Sequence, residues 1–265
     1  MKHLIFGILK RLGLYYFVKY YPPLFKLRLK ILNPSLAKSI DAENELFNNV
    51  LPPGVLNMVI DGGANVGHLT SYFEKKFNKV IAVEPVPGNA AELRARFNGK
   101  KKIVIVEKII DSEEGKKELL ISADKDHTVS TVNKQWSEWW EKENKSQKIR
   151  YNDSIEVSTV TLPQLIKIYG LPDFLKLDIE GNEWQAISLL TDCIPLISFE
   201  THLPGFMDDT LKILQHLGGL TNNLRVNASV DDSTLQFPEF IGSSEFIQWL
   251  TRLQPGYAQV FCKLK

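Results

Sequence analysis

From Val55 onward the apolar residues alternate between short continuous runs and stretches of helical spacing, the pattern of a mostly parallel sheet with helices on its faces. The continuous runs predict strands at Leu56 to Ile60, Val80 to Val83, Ile103 to Val106, Phe174 to Leu177, Leu196 to Phe199 and Ala258 to Leu264. Helical spacing predicts helices over Leu69 to Phe77, Ala90 to Phe97 and Leu162 to Tyr169, the last stopped by Gly170 and Pro172. The first half therefore reads β-α-β-α-β. A long interruption follows, with extra strands at Lys117 to Ser122 and Ile155 to Val160 around a polar, tryptophan-bearing stretch from Lys134 to Lys148, and it reads as an insertion into the sheet. Residues 51–265 are expected to form one domain.

Residues 1–50 read as a basic amphipathic helical appendage. Lys2, Lys10, Arg11, Lys19, Lys26, Arg28 and Lys30 stand among leucines and aromatics, and no acidic residue precedes Asp41. No uncharged run there reaches the ~20 residues that a membrane span needs. The appendage is expected to pack on the domain, with peripheral contact to an anionic membrane surface as the other use of such a composition.

Elsewhere the composition is that of an ordinary globular chain, with 265 residues and a formal net charge of +1, so no field steers the protein to a nucleic acid. The two cysteines, Cys193 and Cys262, have no metal-ligand spacing and form no disulfide framework, so a cytoplasmic location is expected.

Four clusters carry chemistry. Asp61-Gly-Gly-Ala-Asn-Val-Gly67 lies between a buried strand and a helix, where glycine lets the backbone turn sharply and approach a ligand, and Asp61, Gly63, Asn65 and Gly67 are its candidate cofactor-binding residues. Glu84 ends the next strand, and a carboxylate there suits both hydroxyls of an adenosine ribose, in a nicotinamide cofactor or a methyl donor alike. Asp61 separates the two, because a carboxylate sits badly beside a pyrophosphate and well beside an ammonium and a sulfonium. Lys176-Leu-Asp-Ile-Glu-Gly181 and Ser198-Phe-Glu-Thr-His202 close two later strands, so Asp178, Glu180, Glu200 and His202 should converge on the crevice at the carboxyl ends.

DGGANVG, AVEPVP, DFLKLDIEGNE and SFETH, in that order, resemble the FkbM family of S-adenosylmethionine-dependent methyltransferases. The likeness spans roughly Leu56 to Leu217, with LKLDIEG its most diagnostic piece, and Lys116 to Thr131, with the HTVSTV segment, also looks like the family's region before the central strand. The resemblance implies a Rossmann-like class I methyltransferase fold, α/β with a mostly parallel central sheet, flanking helices and an inserted strand and helix segment. It further implies O-methyl transfer to a small-molecule or glycan hydroxyl. Such a reaction needs a base within hydrogen-bond reach of the hydroxyl, and His202, Asp178 and Glu180 are the candidates, His202 first for its near-neutral pKa. The same acids also suit a divalent cation such as Mg²⁺, although no metal-binding motif is present.

Two other classes stay open on sequence: a nicotinamide oxidoreductase on the same kind of sheet, and a non-catalytic protein that keeps the fold. Trp136, Trp139 and Trp140 suit either a helix packed on the core or an acceptor lid, and their spacing favours the first.

Overall fold

The computed structural model describes residues 11, 30, 31, 33–122, 129–143 and 150–265. Most of the basic appendage, His127 and Thr128 of the HTVSTV segment and the end of the tryptophan-bearing stretch lie outside the described residues.

Each strand that the apolar runs predict forms. β1 (Leu56–Gly62) pairs in parallel with β2 (Phe77–Val83) on one side and β7 (Phe174–Leu177) on the other. β3 (Ile103–Val106) extends the sheet beyond β2, and β8 (Leu196–Leu203) extends it beyond β7, again in parallel. β11 (Gly256–Lys263) then inserts antiparallel between β8 and β9 (Arg225–Ser229), and the short β10 (Ile241–Gly242) closes the edge. The eight-stranded order is β10-β9-β11-β8-β7-β1-β2-β3. The chain order reverses at β1, so a crevice opens beyond the carboxyl ends of β1 and β7, where such sheets bind ligands.

Helices cover both faces. α1 (Pro34–Val50) starts on an Asn33 cap whose Oδ1 accepts from the Leu36 amide, and it docks through Leu46, Phe47 and Val50. The Phe47 ring lies 5.7 Å from Phe73 on α2 (His68–Lys76), 5.9 Å from Phe174 and 5.7 Å from Phe261. Burial at about 25 cal/mol per Å² makes Phe47 alone worth roughly 1.5–3 kcal/mol, which holds α1 on the sheet. α3 (Pro87–Arg96) covers β2 and β3. On the opposite face a larger apolar core is roofed by α5 (Leu162–Tyr169), α6 (Glu183–Ile187), α7 (Met207–Leu220) and α8 (Ser243–Leu250).

The inserted segment differs from expectation in one respect. β5 (Lys116–Ser122) and β6 (Tyr151–Val160) pair antiparallel and join β4 (Ile109–Ile110) in a three-stranded sheet of their own beside the main one. Between them α4 (Lys134–Glu143) carries the three tryptophans.

Candidate active site

The glycine turn leaves β1 directly above β7. Gly63 has φ +74°, and a Cβ added to it would sit 1.7 Å from the Asp178 carbonyl oxygen. Only glycine permits this approach, and it brings the turn against the end of β7. Gly67, at φ +82°, is the residue from which α2 starts, and it packs on Leu93 and Phe97 behind the turn. Asn65 takes the left-handed conformation at φ 47° and presents its amide to Glu84.

Glu84 is 4% exposed. One carboxylate oxygen accepts from the Asn65 amide at 2.8 Å, and the other accepts from the Val86 amide at 2.9 Å. Burial pushes its pKa up to about 7, against the pull of those backbone bonds. The Asn89 side chain bonds to this carboxylate as well, so of the about four acceptor positions that a carboxylate offers, one remains for a ligand's hydroxyl.

A cavity of about 230 Å³ opens over these groups. Its floor is Gly63, Asn65 and Glu84, one wall is Val86, Ile109 and Leu119, and the other is Asp178, Glu180 and Glu200. A second, narrower cleft on the far side of those three acids is lined by Trp136, Trp184, His202 and Phe206. The acids thus stand between two spaces, one polar and cradled by the turn, the other aromatic.

The expected site residues divide accordingly. Gly63, Asn65, Glu84, Asp178 and Glu180 line the larger cavity. Asp61 does not. It is fully buried beneath the turn, where it accepts from the Thr70 hydroxyl at 2.6 Å and lies 3.8 Å from the Lys176 ammonium. Gly67 supports the turn from behind, and His202 lies in the aromatic cleft.

His202 is on β8, which runs on to Leu203 because β11 pairs with it as far as Gly256. Glu200 and His202 therefore alternate onto one face, and the His202 Nε2 lies 2.8 Å from a Glu200 carboxylate oxygen. The imidazole stands 4.5 Å from the Trp136 ring and 5.3 Å from Trp139. Burial among these rings lowers its pKa to about 4, although Glu183 and Asp178 pull the other way. Glu180 and Glu200 are pushed well above the carboxylate range, by burial first and then by Asp178, with which Glu200 shares a hydrogen bond. Such a pair of oxygens holds a proton between them.

Glu180 adopts φ 55°, rare outside glycine, and Gly181 follows at φ 88°. The inserted segment pins this turn. The Thr131 hydroxyl donates to the Glu180 carbonyl at 2.6 Å, and the Asn133 side-chain amide donates to the Gly181 carbonyl at 2.5 Å. Thr131, Asn182 and Lys176 were not singled out from sequence. Parallel pairing sets Lys176 beside Asp61, a neighbour relation that only strand order reveals. Among the described residues, no group of three or more His, Cys, Asp or Glu is placed to hold a metal ion, so the divalent-cation expectation finds no built site there.

Residues 61–223 match the model of the Methyltransferase FkbM domain, well over half of the chain and all four motif clusters. The chain belongs to the FkbM methyltransferase family. This membership carries the coarse activity, S-adenosylmethionine-dependent methyl transfer, and its sheet order, with one antiparallel strand between β8 and β9, is the class I arrangement. No curated protein matches this FkbM methyltransferase. Among solved structures it is similar to a precorrin-6y C5,15-methyltransferase from Geobacter metallireducens, at 10% identity and TM-score 0.44 over 85% of this chain and 88% of that one. It is also similar to a plantazolicin methyltransferase in complex with a substrate analogue and SAH, at 7% identity and TM-score 0.44 over 94% and 93%. A TehB-like SAM-dependent methyltransferase from Corynebacterium glutamicum is similar at 11% identity and TM-score 0.42 over 84% and 88%. The family assignment rests on the domain match alone.

Proposed function

We propose that the chain transfers the methyl group of S-adenosylmethionine to a hydroxyl of a glycan, glycolipid or secondary metabolite. The observation that supports this reading is the wall of Asp178, Glu180 and Glu200 standing between the two spaces. When bound, the cofactor supplies a methyl carbon on a positively charged sulfur. Glu84 receives a ribose hydroxyl, and Val86, Ile109 and Leu119 offer an apolar bed to the adenine. The acids of the wall would favour the positive charge of the cofactor's sulfonium.

An alcohol is a poor nucleophile until its proton has somewhere to go. During methylation of the acceptor, a carboxylate of the wall would take the hydroxyl proton. Asp178 and Glu180 are within the cavity to do so, and His202 acts behind them by orienting Glu200. The base contributes about 10²–10⁴-fold, and alignment of oxygen, carbon and sulfur contributes the larger share, on the order of 7–11 kcal/mol.

Isothermal titration with S-adenosylmethionine, S-adenosylhomocysteine and NAD⁺, with and without Mg²⁺, tests the cofactor, and a screen of hydroxylated acceptors then tests the transfer. Binding of the first two but not NAD⁺ is expected. Binding of NAD⁺ alone would return the chain to the oxidoreductase class, and methylation of amines or carbons but no hydroxyl would sink the O-methyl reading.

A further inference from the structure

Asp61, Lys176 and Ser198 occupy one register row across β1, β7 and β8, so their side chains leave the same face of the sheet. Lys176 is 3% exposed. A buried ammonium is costly unless its donors and its charge are matched. Here its Nζ lies 3.4 Å from the Gly62 carbonyl, 3.5 Å from the Gly63 carbonyl, 3.3 Å from Asp178 and 3.8 Å from Asp61. One nitrogen therefore joins the strand, the turn and the first acid of the wall.

The charges around it are strongly unbalanced. Asp61 faces it from β1, Asp178 from the end of β7, Glu84 from the end of β2, and Glu43 from α1. Glu180 and Glu200 line the cavity beside it, and Asp232 adds its charge from the segment after β9. Burial alone would push the Lys176 ammonium down, yet Asp178, Asp61 and Glu43 hold it above the usual lysine range. For Glu43, Asp61, Glu84, Glu180, Glu200 and Asp232, Lys176 is the cation that offsets the cost of ionising.

We propose that Lys176 is a positioning residue, which locks the cofactor turn against the acid wall and supplies the counter-charge that keeps the wall from taking up a further proton before it receives a cationic methyl donor. It touches the turn and Asp178 rather than the reacting atoms. The inference rests on S-adenosylmethionine as the donor, which the titration of the unaltered protein tests separately.

Without the ammonium, the wall takes up a further proton in the empty protein and must release it to a ligand that brings positive charge. S-adenosylmethionine brings that charge, whereas S-adenosylhomocysteine, a neutral thioether, does not. The test is calorimetric titration of the unaltered chain and Lys176→Met with both ligands, in phosphate and in Tris, whose ionisation heats report protons released. Lys176→Met should release about one more proton than the unaltered chain on binding S-adenosylmethionine and no more on binding S-adenosylhomocysteine. Its affinity for S-adenosylmethionine should be at least ~10-fold weaker near pH 7, with the deficit shrinking as pH rises to 8.5. Lys176→Gln, which keeps N–H donors for the two carbonyls and loses only the charge, should show the same extra proton and serves if the methionine variant does not fold. Unchanged proton counts in the folded variant, or an equal loss for both ligands at every pH, would reduce Lys176 to a packing role and overturn the proposal.

Discussion

His202 and Glu200 project from the same face of β8, with the imidazole Nε2 2.8 Å from the carboxylate and the ring held edge-on to Trp136. An imidazole lowered to about 4 is neutral near pH 7, so it can hold one Glu200 oxygen in place while the wall keeps a proton in play. His202→Ala should therefore leave S-adenosylhomocysteine affinity within about 3-fold and slow methyl transfer by about 10²-fold. Titration beside initial rates checks this, and an equal loss in both would make His202 a structural residue instead.

The site was legible in sequence where a motif sits at a strand end, and obscure where tertiary pairing makes the contact. Gly63, Asn65, Glu84, Asp178 and Glu180 meet in one cavity because each closes a parallel strand or follows it at once. Asp61 belongs to the same motif, but its side chain turns into the sheet toward Thr70 and Lys176, a choice of face that the glycine pattern does not encode. Glu43 and Asp232 reach the acid cluster from segments outside the motifs, and nothing local marks either. In the fold, the first three parallel strands and their helices followed the apolar runs. β9 did not, because Arg225–Ser229 is polar for a buried strand. Its Asn227 is fully buried, donating to the Phe237 and Glu239 carbonyls and accepting from the Phe237 amide. Satisfied hydrogen bonds there replace the apolar pattern on which sequence reading depends.

Gly63→Ala should damage the site more than its size suggests. The added methyl meets the Asp178 carbonyl at 1.7 Å and the backbone is already left-handed, so the turn must lift off β7. Strain of this kind costs about 1–3 kcal/mol. Thermal unfolding should show that cost, and calorimetry should show cofactor binding lost even at temperatures where the variant is fully folded. Retained binding would mean that the turn tolerates separation from Asp178.

The unliganded protein should lose stability as pH rises from about 4.5 to 8. Glu84 and Glu183, raised from 4.5 to about 7, and Glu43, raised to about 8, hold protons in the folded state that the unfolded chain has already released. Their contribution is complete below 4.5 and is lost as pH climbs through 7 and 8. His202 works oppositely, since its value is lowered from 6.5 to about 4, but its single proton offsets only part of the loss from the three acids below 6.5. Each proton is worth on the order of 1.4 kcal/mol per pH unit. Unfolding midpoints between pH 6.5 and 8 should fall without cofactor and flatten with S-adenosylmethionine, whose positive charge lowers the same carboxylates. A midpoint that rises over that range would contradict the burial of these acids.

Glu84→Ala separates the two duties of that carboxylate. Its removal frees the Asn65 and Val86 amides, which the side chain now joins across the mouth of the turn, and it removes the acceptor for the ribose. A hydrogen bond to a charged group is worth about 1.5–3 kcal/mol, so loss of one ribose contact predicts at least roughly 10-fold weaker binding. Glu84→Gln distinguishes the causes. The amide retains one acceptor oxygen for a backbone N–H but must turn a donor toward the other, so it should stay folded and still bind poorly. If both variants bind S-adenosylhomocysteine as the unaltered chain does, the ribose lies elsewhere and Glu84 is only a brace for the turn; if alanine fails and glutamine binds normally, bracing matters and the negative charge does not.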